Sequence, residues 1–203
     1  MSKKVVIAFE GIEGSGKTFH LNYISKYLKK KKIPYIKLRE PGGSKNSEKI
    51  RKLILNNKSN FKKDTDLLLY LAARSENIDL LKKSYKKKII LIDRFTDSTI
   101  AYQHYGMGVD LDILKGINDY LLKSFKVDFT FLNIVNEKNL RTRSNKRKRL
   151  NRYDKFKMNF YSKVQKGFLT IAKNKKNYNI INSNQPIEVN QKKIIRKIEK
   201  LIK

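Results

Sequence analysis

The sequence predicts an α/β fold: a parallel sheet of about five strands with helices on both faces, in one domain of 203 residues. Three observations carry that expectation. Short continuous apolar runs of strand length alternate with segments whose apolar residues recur at helical spacing, the pattern of a buried parallel sheet. The first apolar run ends in a glycine-rich turn that leads straight into a helical pattern. Finally, 39% hydrophobic residues in a chain this long supply one sizeable core, whereas two full domains would be cramped.

Each element has its own justification. Residues 3–9 are an apolar run of strand length, and residues 18–32 place Leu21, Ile24 and Leu28 one helical turn apart. A short strand at 34–38 precedes helices at 44–56 and 64–83. The run 88–92 is a further buried strand, followed by helical patterns at 98–103 and 111–123. Residues 127–135 and 178–181 read as the last two strands, and a closing helix runs from 186 to the end. Between those strands lies a polar, basic stretch from 137 to about 168. Within it, residues 141–152 hold five arginines and a single sizeable apolar side chain, Leu150, so this segment is expected to be a mobile lid. A solvated helix face would account for the same charges. No repeat, linker or domain boundary divides the chain, so 1–203 is read as one domain.

Composition excludes several kinds of chemistry. With no cysteine there can be no disulfide, thiolate metal site, iron–sulfur cluster or cysteine nucleophile, and two histidines (His20 and His104) cannot form a histidine-rich metal site. The apolar run 5–9 is too short for a signal peptide, and the longest run elsewhere, 67–73, is far too short to span a bilayer. A soluble, cytoplasmic protein is expected. The net charge of +30 has two readings. A polyanionic partner is one. Biased residue usage is the other, because 38 lysines, only 10 arginines and 19 asparagines are what an A/T-rich coding sequence would produce. The lysines are scattered over every segment, which favours bias and argues against a dedicated nucleic-acid partner. Arginine persists where a planar fork is required and lysine cannot substitute.

The turn after the first strand is Gly11-Ile12-Glu13-Gly14-Ser15-Gly16-Lys17-Thr18, the phosphate-loop pattern. Its glycines let backbone N–H groups turn inward around phosphates, Lys17 reaches the terminal phosphates, and the Thr18 hydroxyl can ligate Mg²⁺. The helix that follows points its positive end at the same anions. Downstream, Asp93-Arg94 closes a strand beside this loop. There a carboxylate can hold Mg²⁺ or its waters, or accept a proton from the attacking group, and Arg94 can grip a second phosphate bidentately. Three further clusters complete the set: Arg39-Glu40-Pro41-Gly42-Gly43, Tyr70-Leu71-Ala72-Ala73-Arg74, and the stretch from Asp93 to Gln103.

In this order and spacing the clusters closely resemble the thymidylate kinase family, from about residue 3 to 181. The resemblance implies a P-loop NTPase three-layer sandwich with a lid, and transfer of the γ-phosphate of ATP to dTMP, giving dTDP for dTTP synthesis. It implies Mg²⁺ as cofactor and a homodimer. The whole loop from Gly11 to Thr18 would bind ATP, with Arg143 beside it, and Thr18 and Asp93 would hold the metal. Glu13 matches the acid that contacts the sugar 3′-hydroxyl of dTMP, and Arg39 and Arg94 match positions near the acceptor phosphate. Tyr70 matches the aromatic that stacks on thymine. Arg74, one turn later on the same helix face, matches the residue that reaches a thymine carbonyl. Thr99 and Gln103 resemble further pocket residues, and Tyr102 the tyrosine that disfavours ribose. Position 14 is glycine where one branch of the family has arginine, so catalytic positive charge is expected from the lid. Arg147 and Arg149 are the preferred candidates beside Lys17, Asp93 and Arg94. The lid departs from the family pattern in being lysine-rich. His20 and His104 match no catalytic position. A deoxynucleoside kinase and a basic nucleic-acid-binding protein with a nucleotide site remain the alternatives.

Overall fold

The computed structural model describes residues 4–85, 87–146, 151–173 and 175–203. Five strands, β1 (Val6–Glu10), β2 (Tyr35–Arg39), β3 (Ile89–Asp93), β4 (Phe129–Ile134) and β5 (Tyr178–Asn182), pair in parallel in the order β2-β3-β1-β4-β5. All five stand where the apolar runs put them, most of them ending a residue later than expected.

β1 is central, and its residues are buried on both faces because both are covered. Ile7 and Phe9 pack with Leu21, Ile24 and Leu28 of α1 (Lys17–Lys30) and with Ile194, Ile198 and Ile202 of α9 (Ile187–Ile202). Val6, from the opposite face, packs with Ile90, Ile92, Leu81, Leu122 and Phe125. Each such side chain withdrawn from water contributes about 1.5–3 kcal/mol, which holds the layers together. Parallel strands end at one edge, so the register sets Phe9 beside Asp93 and Asp93 beside Arg39. That edge is where a doubly wound sheet binds ligands.

Three elements differ from the sequence expectation. The helix expected at 64–83 is two helices, α3 (Lys63–Ser75) and α4 (Ile78–Tyr85). Asn77, fully buried at the break, accepts from Ser44 N–H at 3.0 Å and donates to the Gly42 carbonyl at 2.8 Å. The break therefore belongs to the loop after β2, which lies next to it only in the fold. The helix expected at 98–103 is α5 (Thr96–Thr99), running on into a π-helical turn, Ile100–Gly106. The basic stretch after β4 is largely helical, with α7 (Glu137–Asn145), a 3₁₀ turn (Arg152–Lys155) and α8 (Met158–Ala172). α8 buries Phe160, Tyr161, Val164 and Phe168, a helical spacing that the surrounding lysines obscured. Arg147, Arg149 and Leu150 lie outside the described residues. The remaining helices are α2 (Lys45–Leu55) and α6 (Leu111–Leu122). Among the described residues no helix is long and apolar enough to cross a membrane.

Candidate active site

The loop from Gly11 to Thr18 joins β1 to α1 in a form that only glycine permits. Gly11 has φ 136°, and a Cβ there would stand 2.3 Å from the Asn133 carbonyl oxygen. Gly16, at φ 89°, is the left-handed N-cap of α1. Lys17 is buried, with Nζ donating to the Ile12 carbonyl at 3.1 Å. Burial pulls its ammonium down to about 8, helped by Arg94 and opposed by Asp93, Glu13 and Glu10. An anion arriving in the loop would raise it again. Thr18 Oγ1 donates to Asp93 Oδ2 at 2.5 Å, so the two oxygen ligands expected for Mg²⁺ already touch. Hard oxygen donors suit that ion. Among the described residues no group of three His, Cys, Asp or Glu side chains forms a metal cage. That fits a cation held mainly by phosphates and water.

Beside the loop lies a narrow pocket lined by Glu13, Glu40, Tyr70, Arg74, Arg94, Phe95, Ser98, Thr99, Tyr102 and Gln103. Its free volume is about 20 Å³, room for little more than a water, so a larger ligand would need the walls to part. Arg74 is 1% exposed and donates to Glu40 Oε2 at 2.8 Å, Asn118 Oδ1 at 2.6 Å and Thr99 Oγ1 at 2.9 Å, with its guanidinium over the Phe95 ring. Arg94 adopts φ 68° and donates to Gly11 O at 2.8 Å, Ser98 Oγ at 3.2 Å and Glu13 Oε1 at 2.7 Å. Tyr102 donates its hydroxyl to Glu13 Oε2. Burial alone would raise the Glu13 carboxyl, but Arg94, Lys17 and Tyr102 together hold it below the usual carboxylate range. Glu13 is therefore an ionised acceptor at the wall between loop and pocket.

Glu13, Glu40, Tyr70 and Arg94 also line an adjoining cleft of about 320 Å³, with Lys17, Thr18, Arg39, Arg51, Asp93, Asn151 and Tyr153. Its lining sets four cations, Lys17, Arg39, Arg51 and Arg94, against three carboxylates, Glu13, Glu40 and Asp93. Arg39 is the most exposed of its arginines and pairs with Glu48 at 2.9 Å. Arg51 donates to the Pro41 carbonyl at 2.6 Å.

The structure thus gathers Lys17, Thr18, Asp93, Arg94, Glu13, Arg39, Tyr70, Arg74, Thr99, Tyr102 and Gln103 around two joined cavities. The lid arginines divide. Arg143 donates to Gly14 O at 2.9 Å and Ser183 O at 2.6 Å, bracing the phosphate loop. Arg141 pairs with Glu137 on an exposed helix face, the solvated-face reading. Arg152 is bound to Asp66 and the Ile54 carbonyl and does not line the cleft. His20 is buried against Phe19, and His104 meets the Val109 carbonyl at 2.8 Å; neither enters the cavities. Sequence reasoning missed Arg51, Tyr153, Ser98 and Glu10. Arg51 carried a readable signal, an arginine retained among lysines. Glu10 is 1% exposed and accepts from Phe95 N–H at 2.8 Å and from Ser98 N–H at 3.3 Å, fixing the turn that carries Arg94.

Known proteins match most of the chain. The thymidylate kinase family model matches residues 9–194. A thymidylate kinase of Clostridium novyi (strain NT) is 38% identical over 195 residues, 93% of this chain and 95% of that protein. Another, from Sulfurihydrogenibium sp. (strain YO3AOP1), is 40% identical over 174 residues, 84% of each. Among solved structures, a thymidylate kinase from Ehrlichia chaffeensis superposes with a TM-score of 0.78 at 29% identity, over 96% of this chain and 98% of that one.

Proposed function

The chain belongs to the thymidylate kinase family, and from that premise we propose how its two cavities phosphorylate dTMP with ATP. The observation that carries the reading is the Arg94–Glu13 pair, 2.7 Å apart, which forms the wall shared by the phosphate cleft and the base pocket. An acceptor nucleotide laid across it has its base in the pocket and its phosphate in the basic cleft, facing the phosphate loop.

In this reading each residue has a task. The loop from Gly11 to Thr18 and Lys17 hold the donor phosphates, and Arg143 keeps the loop in shape. Glu13 receives the sugar 3′-hydroxyl, and Tyr102, bonded to Glu13, fills the space beside the 2′ position. Tyr70 stacks on the base, while Arg74, Thr99 and Gln103 read its edge. Arg94, Arg39 and Arg51 grip the acceptor phosphate. Thr18 and Asp93 would hold Mg²⁺, which supplies charge neutralisation between the donor phosphates. No covalent intermediate is needed, since positioning and electrostatic stabilisation account for phosphoryl transfer. Arg147 and Arg149 are proposed to bring further positive charge over the transferring group. A drop in kcat in Arg147→Ala or Arg149→Ala is the expected sign, and wild-type kcat in both removes the assignment.

We further propose that the chain is a single cytoplasmic domain and that it forms a homodimer, the dimer supported by the large apolar side chains exposed on three neighbouring helices, Leu53 on α2, Leu68 on α3, and Ile113 and Tyr120 on α6. Sedimentation velocity measures this directly. The substrate assignment is tested by ADP release across deoxynucleoside monophosphates and thymidine. Turnover of dTMP with rejection of dCMP and of unphosphorylated thymidine is expected. Equal turnover of thymidine would overturn the acceptor-phosphate reading.

A further inference from the structure

Asp66, on α3, is 1% exposed and is the meeting point of three side chains from separate parts of the molecule. Its Oδ1 accepts from Arg152 Nη2, and its Oδ2 accepts from the Tyr153 hydroxyl at 2.6 Å and from Gln103 Nε2 at 3.2 Å. Gln103 lines the base pocket. Tyr153 and Arg152 form the 3₁₀ turn at the rim of the phosphate cleft, where Tyr153 sits edge-on to Tyr70, with centroids 6.1 Å apart. Arg152 is itself fixed by the Ile54 carbonyl at 3.0 Å and by the rings of Phe61 and Tyr153.

The Asp66 carboxylate accepts from three side-chain donors, one of them the Gln103 amide. It therefore decides which end of the Gln103 amide faces it: the NH₂ turns to Asp66 and the carbonyl turns away. That carbonyl oxygen, on a residue with 0% exposure, has no hydrogen-bond partner. A buried acceptor left in this state costs stability unless a ligand donates to it. Gln103 stands in a pocket wall, so the missing donor belongs to whatever fills the pocket.

We propose that Asp66 is a positioning residue for base recognition, holding the Gln103 carbonyl ready for a ring N–H donor and tying that reading to the Arg152–Tyr153 turn. The inference rests on the pocket being the acceptor-nucleotide site. A thymine ring carries such an N–H. Cytosine carries a bare ring nitrogen at the same place, and two acceptors would then face each other. Arg152 does not line the base pocket, yet through Asp66 it bears on which base is accepted.

The test compares kcat/KM for dTMP and dCMP in Asp66→Asn. The side chain at 66 then presents an amide donor toward Gln103, the Gln103 amide turns over, and the pocket shows N–H where it showed oxygen. The dTMP:dCMP ratio should fall by about tenfold or more, through a raised KM for dTMP and improved use of dCMP, with kcat for dTMP changing much less. A ratio unchanged from wild type, with both substrates falling in parallel, makes Asp66 structural only and overturns the proposal. If circular dichroism finds D66N unfolded, the double variant D66N/R152Q, which removes the buried pair from both sides, replaces it. The ratio cancels any effect of that change on phosphoryl transfer, so it should still fall. An unchanged ratio in that double variant has the same adverse meaning. Absence of dTMP preference in the wild type would instead sink the underlying reading of the pocket.

Discussion

Arg74 in the base pocket and Arg39 in the phosphate cleft live under opposite conditions, with Arg94 lining both cavities between them. Arg74 is 1% exposed, with three protein acceptors. Arg94 has a 14% exposed side chain and holds Glu13, Gly11 and Ser98 together. Arg39, by contrast, is 54% exposed in its side chain, and Glu48 is its partner at the surface. A buried arginine is oriented before any ligand arrives, and its removal leaves an uncompensated charge behind. An exposed one is oriented by the ligand, because a surface ion pair is worth about 1 kcal/mol or less and yields readily to a phosphate. Substitutions in the pocket should therefore register in stability and those in the cleft in kinetics.

Arg74→Met is the most severe test of that contrast. Glu40, whose carboxyl burial already raises against the pull of Arg74, would lose its cation. Breaking a buried pair from one side typically costs about 3–5 kcal/mol. Urea melts of R74M should show a loss of that order, and stability within about 1 kcal/mol of wild type would refute the distinction. Lys17→Ala belongs to the other class. It removes a desolvated ammonium from beside the phosphates, so kcat should fall by about two orders of magnitude or more. Its stability should hold or rise at neutral pH. The Lys17 ammonium is held near 8, below its unfolded value of 10.5, so it weakens the fold until pH climbs through that interval. Near-normal kcat in folded K17A would contradict its role at the phosphates.

What the sequence made legible follows the same division. The phosphate loop, Asp93 and Arg94 are read from local spacing, because consecutive residues at a strand end must share one site. Buried parallel strands are legible for the same reason: β1 needs apolar side chains on both faces, and an unbroken run such as Val5 to Phe9 has few other uses. Partners set by tertiary contact leave no such trace. Arg152 lies 86 positions from Asp66, and Asn77 breaks a helix to serve a loop 33 residues upstream. Glu10 stands beside the first glycine of the phosphate-loop pattern, yet its role depends on Phe95 and Ser98, which only the parallel register of β1 and β3 brings alongside. Residues 147–150, where the catalytic lid arginines are proposed, rest on sequence resemblance alone.

Glu10 separates stability from kinetics by pH. Burial, seconded by the nearby Asp97, raises its carboxyl from 4.5 to about 7, against hydrogen bonds from Ser98 and Phe95 and the charge of Arg94. The folded state therefore keeps a proton that the unfolded chain releases. That contribution is fully present below about 4.5 and lost as pH rises through about 7. Between pH 5 and 7 the loss should be about 2 kcal/mol at most. Glu10→Gln cannot titrate, so the difference between wild-type and E10Q stability should move with pH in that direction. A difference independent of pH would mean that Glu10 is ionised throughout. Arg94→Lys follows in size. It keeps the charge but cannot meet Gly11 and Glu13 together, so kcat/KM for dTMP should drop by about tenfold. Wild-type behaviour would reduce Arg94 to a capping residue.

The smallest expected effect decides whether the cleft arginines are as available as their exposure suggests. In Arg39→Ala the Glu48 carboxylate loses a bidentate partner but keeps the Gly43 N–H at 2.9 Å. Glu48 also remains open to water, so stability should change by no more than about 0.5 kcal/mol. The acceptor phosphate loses one of the three arginines proposed for it, with Arg51 and Arg94 still in place. A contact that forms in ground and transition state alike raises KM and leaves kcat alone. The KM for dTMP should therefore rise about three- to tenfold at low salt, with the difference shrinking as ionic strength screens the cleft. A large loss of stability in R39A would place Arg39 with the buried arginines and dissolve the contrast. A fall in kcat at unchanged KM would move it from holding the acceptor to stabilising the transferring phosphoryl group.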